Sequence, residues 1–360
     1  MLKIKPEGRN LTATQAKVLD DEFFTSRPFQ YFNSRISSVL DAEEGPAHAN
    51  AKAAEKFFRV LNLSDTNRVL EFDERDRRLQ VAADAFALRH HVAEGLIRFL
   101  HALTVFVEPT GDARCTWRAI ADGPINLLDV AKQLVERMNT DQGLFAPLFL
   151  ATGIEDSEAS RGAVENALAW ANHAIRLLTD EELTTNTAHN KFKHGLAVRG
   201  RDDLRLEFLP ADAIPDGGGD IPLSAFQGSI PVFDRPLVTY LGRPNGKPKL
   251  GLEVTTLRID VPSVLAEAWM MANVYGALFH VAAAKHFAGT DVEIAPYPTL
   301  PAGRRPDQLL NGQVLGLRQS VTTPPDGTSA ARDTRLFRHG SSMSLEIDFN
   351  NQMSGTIVEG

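Results

Sequence analysis

The sequence predicts an α+β fold, an N-terminal helical bundle followed by a smaller β-rich or mixed C-terminal portion. Apolar residues recur at spacings of three and four through most of the chain up to Gly195, the period of a helix with one buried face. After Gly195 the spacing falls to two, as at Leu204, Leu206 and Phe208, the period of a half-buried strand. Pro and Gly are dense from Gly289 onward, which favours short strands and turns over long helices.

The elements follow in order. Residues 13–40 read as one or two helices, interrupted near Pro28 because its ring blocks continuation. Residues 47–61 are alanine-rich and read as helical, and Ser64-Asp-Thr-Asn is turn chemistry. The longest helix spans about 73–107 and is closed by Pro109 and Gly111. Helices are expected at 125–138 and at 157–178, the second with Val164, Leu168, Ala171, Ile175 and Leu178 as a core-facing stripe. A short helix ends at Gly195, and residues 210–222 form a Gly- and Pro-rich loop. Strands are expected at 237–241 and 250–259, joined across Asn245-Gly246, a strong hairpin signal. Pro262 opens a helix to about Phe287, followed by short strands at 313–321 and 344–349 around a loop at 322–329. This divides the chain into a helical bundle at 1–195 and a mixed or β-rich portion at 196–360 that contains one long helix at 262–287.

Composition narrows the functions. The chain is 43% hydrophobic and 23% charged, a globular composition. A net charge of −8 makes it a poor general nucleic-acid binder but allows a local basic pocket. The first ten residues carry no apolar secretory core, and the most apolar stretches, 99–107 and 276–284, are too short to span a bilayer. The single cysteine, Cys115, forms no intrachain disulfide and has no spacing that ties it to a base, so it reads as an incidental thiol. Together these features lead us to expect a cytoplasmic protein with no membrane partner.

On the long helix, Val81, Ala85, Val92, Leu96, Phe99, Leu100 and Leu103 gather in one arc at 100° per residue. His90, Glu94, Arg98 and His101 gather on another face, which reads as the solvated side, with Glu94 and Arg98 an ordinary surface pair. The stripe lacks the second half of a metal site, so no metal is expected. Arg89 falls inside the apolar arc. A charge there must meet a structural carboxylate, snorkel to the edge, or line a pocket.

The segment Asn186-Thr-Ala-His-Asn-Lys-Phe-Lys-His-Gly195 places Asn186, Asn190 and His194 four apart on one strip, with Lys193 beside it. An amide, a cation and an imidazole are the residue types that phosphate-ester chemistry needs. Lys191, Lys193, His194 and Gly195 are equally what a helix C-terminus favours for its dipole and cap. His173 lies opposite the 164–178 stripe and reads as solvated, and His280 and His286 share no helical face.

A polar helix containing Arg89-His-His-Val-Ala-Glu94-Gly-Leu-Ile-Arg98, followed by a helix ending Asn190-Lys-Phe-Lys-His194-Gly195, resembles the HEPN superfamily over about residues 75–195. The resemblance implies an all-α core there. It also implies either a metal-independent ribonuclease of a bacterial defence or toxin system, working on RNA as a homodimer without a cofactor, or a non-catalytic binding or scaffold protein. On the ribonuclease reading His194 is the general acid or base, Asn190 positions the phosphate, and Lys193 stabilises negative charge. Asn186, Glu94 and Arg98 are the binding candidates. The arginine of the family pattern is not filled within its usual window, where Asn190 or Asn186 stands nearest. Arg89 as a cation supplied from the other helix is an inference from helix phase and not from the family pattern.

Overall fold

A computed structural model describes residues 10–45, 58–60, 73–124, 126–154, 157–179, 185–193, 197–203, 206–209, 223–243, 251–298, 300, 303–322, 331–339 and 341–348. The expected turn at Ser64, the loop at 210–222, the Asn245-Gly246 hairpin tip and residues 323–329 of the expected loop at 322–329 lie outside these residues, as does all of the expected helix at 47–61 except the helical residues 58–60.

The fold is α+β, and every described strand follows Gly195. Helices α1 (Ala13–Phe24) and α2 (Pro28–Glu44) are separated at Pro28, which sits in the first turn of α2 where its missing N–H costs nothing. Thr12 and Gln15 form a reciprocal capping box at the start of α1. Helix α3 (Glu74–Thr104) is capped by the Asp73 side chain, which accepts from Asp76 N. Helix α4 (Thr116–Ala121) starts on the buried Asp20 carboxylate, which accepts from Thr116 N, Trp117 N and the Cys115 thiol. Cys115 is therefore buried at a helix start, and burial pushes its thiol up from its ordinary range, which leaves it inert. Helices α5 (Leu127–Thr140), α6 (Glu158–Thr179) and α7 (Thr185–Lys193) complete the N-terminal part.

Strands β1 (Val198–Arg201), β4 (Leu237–Gly242), β5 (Glu253–Arg258), β6 (Val314–Ser320), β7 (Ala331–Arg338) and β8 (Ser341–Asp348) form an antiparallel sheet in that order. Strands β2 (Leu206–Phe208) and β3 (Ile230–Phe233) pair separately. Period-two alternation gives the sheet two apolar sides: Val238, Tyr240 and Leu257 join the helical core, while Leu237, Leu317 and Leu336 join Val232 and Phe233 in a smaller cluster.

Secondary structure changes between α7 and the first strand, but packing does not. Helix α8 (Val261–His286) lies against α3, and one apolar core runs from Phe24 to Leu300. Gly276 of α8 allows the close approach, since a Cβ there would meet Pro298 Cγ at 2.9 Å and Phe29 Cγ at 3.0 Å. A short helix, α9 (Pro306–Leu309), leads into β6. Val92, Leu96, Phe99, Val164 and Ile175 are buried as expected, while Leu103 and Leu168 are partly buried against the same core. Phe99 packs against Phe23, Tyr275 and Phe279, so Phe99→Ala is expected to cost about 3–5 kcal/mol by chemical denaturation.

Candidate functional site

Helix α3 is enclosed by α2, α5, α6, α7 and α8, so the face expected to be solvated is covered. His90 and His101 are buried, and His101 Nε2 meets Gln133 Oε1 of α5 at 2.7 Å. Arg98 donates to Glu94 at 2.8 Å and to the Pro124 carbonyl at 3.0 Å, and the pair is only partly exposed. The correction has a simple cause. From His90 onward α3 is packed against neighbours on most sides, so the polar residues it buries there survive only with partners.

Three consecutive residues of α3 turn about 100° apart and serve three different neighbours. Arg89 reaches α8, where its Nη1 donates to Glu267 Oε1 at 2.8 Å. His90 stacks on His189 of α7, with ring centroids 3.9 Å apart and planes 13° from parallel. His91 meets Tyr31 and Phe32 of α2 edge-on.

Helix α7 turns Thr185, Ala188, His189 and Phe192 inward, at offsets of three, four and seven residues. Phe192 packs on Phe86 of α3, and Thr185 Oγ1 donates to the Leu177 carbonyl of α6. Asn190 and Lys193 are exposed and Asn186 is half-buried. His194 lies outside the described residues. Among the described residues no hydrogen bond or ion pair joins Arg89 to Asn190 or Lys193; Arg89 is 12% exposed and paired with Glu267. Of the three roles open to an arginine on the apolar arc, two are realised together: Arg89 meets a structural carboxylate and lines a small cavity.

The imidazoles between α3 and α7 are held neutral. Burial pulls His90 down to about 3, helped by neighbouring His189, Arg89, His91 and Lys193. Burial also lowers His189, against the pull of Glu94. His189 Nδ1 is buried and has no hydrogen-bond partner among the described residues.

The most developed polar cluster was missed by sequence reasoning. Glu267 of α8 is 2% exposed, and its second oxygen meets His173 Nε2 at 2.7 Å. Burial pushes the Glu267 carboxyl up, but Arg89 and His173 outweigh it and hold the group below its ordinary range. His173, expected to be solvated, is instead buried against Glu267 and edge-on to Trp170. The signal was present in the sequence, because Glu267 interrupts the apolar run from Val264 to Phe279 just as Arg89 interrupts the arc on α3. His339, after β7, brings its ring centroid to 6.3 Å from that of His173. Burial lowers His339, with His173 and Arg176 adding to the effect.

No group of three or more His, Cys, Asp or Glu among the described residues is arranged to hold a metal ion. No helix among them is long and apolar enough to cross a membrane. Comparison with protein-family models, curated proteins and solved structures returned no match to this chain.

Proposed function

We propose that this chain is a HEPN-like helical protein of the non-catalytic kind, a cytoplasmic binding or scaffold protein. One observation supports this reading above the nuclease alternative: Arg89, the cation that α3 would lend to phosphate chemistry, is neutralised inside the protein by Glu267. A buried guanidinium bonded to a carboxylate does not stabilise charge at a distant phosphodiester without breaking a costly pair. The stacked, neutral His90 and His189 fasten α7 to α3 and leave Asn190 and Lys193 on the outside as a contact face.

The same exposure favours a second reading, a metal-independent ribonuclease acting as a homodimer. Asn190 and Lys193 are open to a ribose phosphate, and His194 follows them directly in the chain. One experiment separates the two. The full chain is incubated with single-stranded RNA, with and without EDTA, alongside His194→Ala. The scaffold reading expects intact RNA in every lane. Cleavage that survives EDTA and disappears in His194→Ala, with unchanged circular dichroism, replaces it with the ribonuclease reading.

A further inference from the structure

A second polar centre lies away from the outer face of α7, and its reading is independent of the proposed function. Arg89, His173, Thr185, Arg258, Glu267 and His339 line a cavity of about 50 Å3 between the helices and the sheet. That volume holds on the order of four water-sized groups, the size of a small tetrahedral ion. Both Glu267 oxygens are engaged, one by Arg89 and one by His173, so the carboxylate orients its partners and offers the cavity little free charge. Thr185 is committed to the Leu177 carbonyl, and Arg258 is turned to Asp234.

Unspent hydrogen-bonding capacity remains. Arg89 has five N–H donors, of which one is given to Glu267; among the described residues the others meet no acceptor. His173 gives its Nε2 to Glu267, and among the described residues its Nδ1 has no hydrogen-bond partner, in a ring that lies beside that of His339. Phe86 lies under the Arg89 guanidinium at 5.5 Å and keeps this region apolar, which strengthens any charge contact made within it. A ligand that satisfies this set must accept several hydrogen bonds from a cation and share a proton with imidazole.

We propose that this cavity binds a small tetrahedral oxyanion, as free phosphate or as the phosphoryl end of a larger ligand, held between Arg89, His173 and His339. Arg89 and Glu267 cancel, so the anion is balanced by a proton taken up on His339, whose ring lies beside that of His173. Burial, His173 and Arg176 oppose that proton in the empty cavity, while Glu267 and Asp307 favour it, and the bound anion tips the balance toward uptake. Binding therefore strengthens as pH falls, by up to about tenfold per unit when one whole proton is taken up.

The test is calorimetric titration of the full chain with inorganic phosphate and, separately, a nucleoside 5′-monophosphate, at several pH values, with histidine ring resonances followed in parallel. Saturable binding is expected, with proton uptake and with ring shifts at His173 and His339. His339→Gln should weaken it at least tenfold, while Lys132→Ala, on the exposed side of α5, leaves it unchanged. Tighter binding of the nucleotide with the same His339 dependence identifies a phosphoryl end as the ligand; phosphate alone binding identifies the free ion. Absence of saturable binding in the millimolar range, or binding indifferent to His339→Gln, overturns the proposal. Should His339→Gln fold poorly, the ring shifts of the unmodified protein decide: shifts absent from both histidines also overturn it.

Discussion

Between pH 7 and pH 4 the folded state is expected to lose about 3 kcal/mol through His90 alone, and His90→Phe should remove that loss. In the unfolded chain the ring titrates near its ordinary 6.5, whereas in the fold burial holds it at about 3. Across the window between those values the unfolded state carries a proton that the folded state refuses, so stability falls as pH falls. The slope approaches about 1.4 kcal/mol per unit and flattens below the folded value. Phenylalanine keeps the ring that stacks on His189 and removes the titration. Charges facing the ring are His189 and Lys193 on α7 and Arg89 and His91 on α3 itself, all of which resist its protonation, while Glu94 favours that of His189. Denaturant midpoints at constant m across this range measure the effect as a difference between the two proteins. Carboxylates that titrate in both proteins cancel in that difference. Parallel pH profiles would show that the stacked pair does not govern acid stability.

Glu267→Ala is expected to destabilise the fold by about 3–5 kcal/mol, because it strands the Arg89 guanidinium in an apolar setting and removes the partner of His173. Removing both charges should be far milder. Arg89→Met with Glu267→Leu fills the same space without a charge, and its cost should fall well short of the sum of the single costs, a coupling of at least about 1 kcal/mol. Chemical denaturation of the two single variants and the double variant measures it. Simple additivity would mean that the contact contributes nothing beyond the two side chains separately.

Much of the architecture was legible because apolar spacing records which faces are covered. The break at Pro28, the long α3, the stripe of α6 and the pair β4 and β5 all follow from local period and turn chemistry. Strands β1, β3 and β7 were not anticipated. β1, Val198-Arg-Gly-Arg201, and β7, which begins Ala331-Arg-Asp-Thr334, are polar edge-like runs whose pairing comes from neighbours and not from their own composition. The polar interior was harder still. Periodicity showed that Arg89 needed a partner, but the partner stands 178 positions away on a helix that itself reads as apolar. His90, His101 and His173 were taken for surface residues because a helical wheel assigns the polar arc to solvent, whereas the arcs that carry them on α3 and α6 are packed against neighbouring elements.

The pairing of α3 with α8 also bears on how the chain is made. Synthesis delivers α3 by Thr104, but its principal neighbour is not complete until His286. Until then Leu96, Phe99 and Leu100 have no α8 to cover them, and Arg89 waits without its carboxylate. The core around α3 is therefore built from contacts far apart in sequence, and it cannot be complete until the late helix has been synthesised.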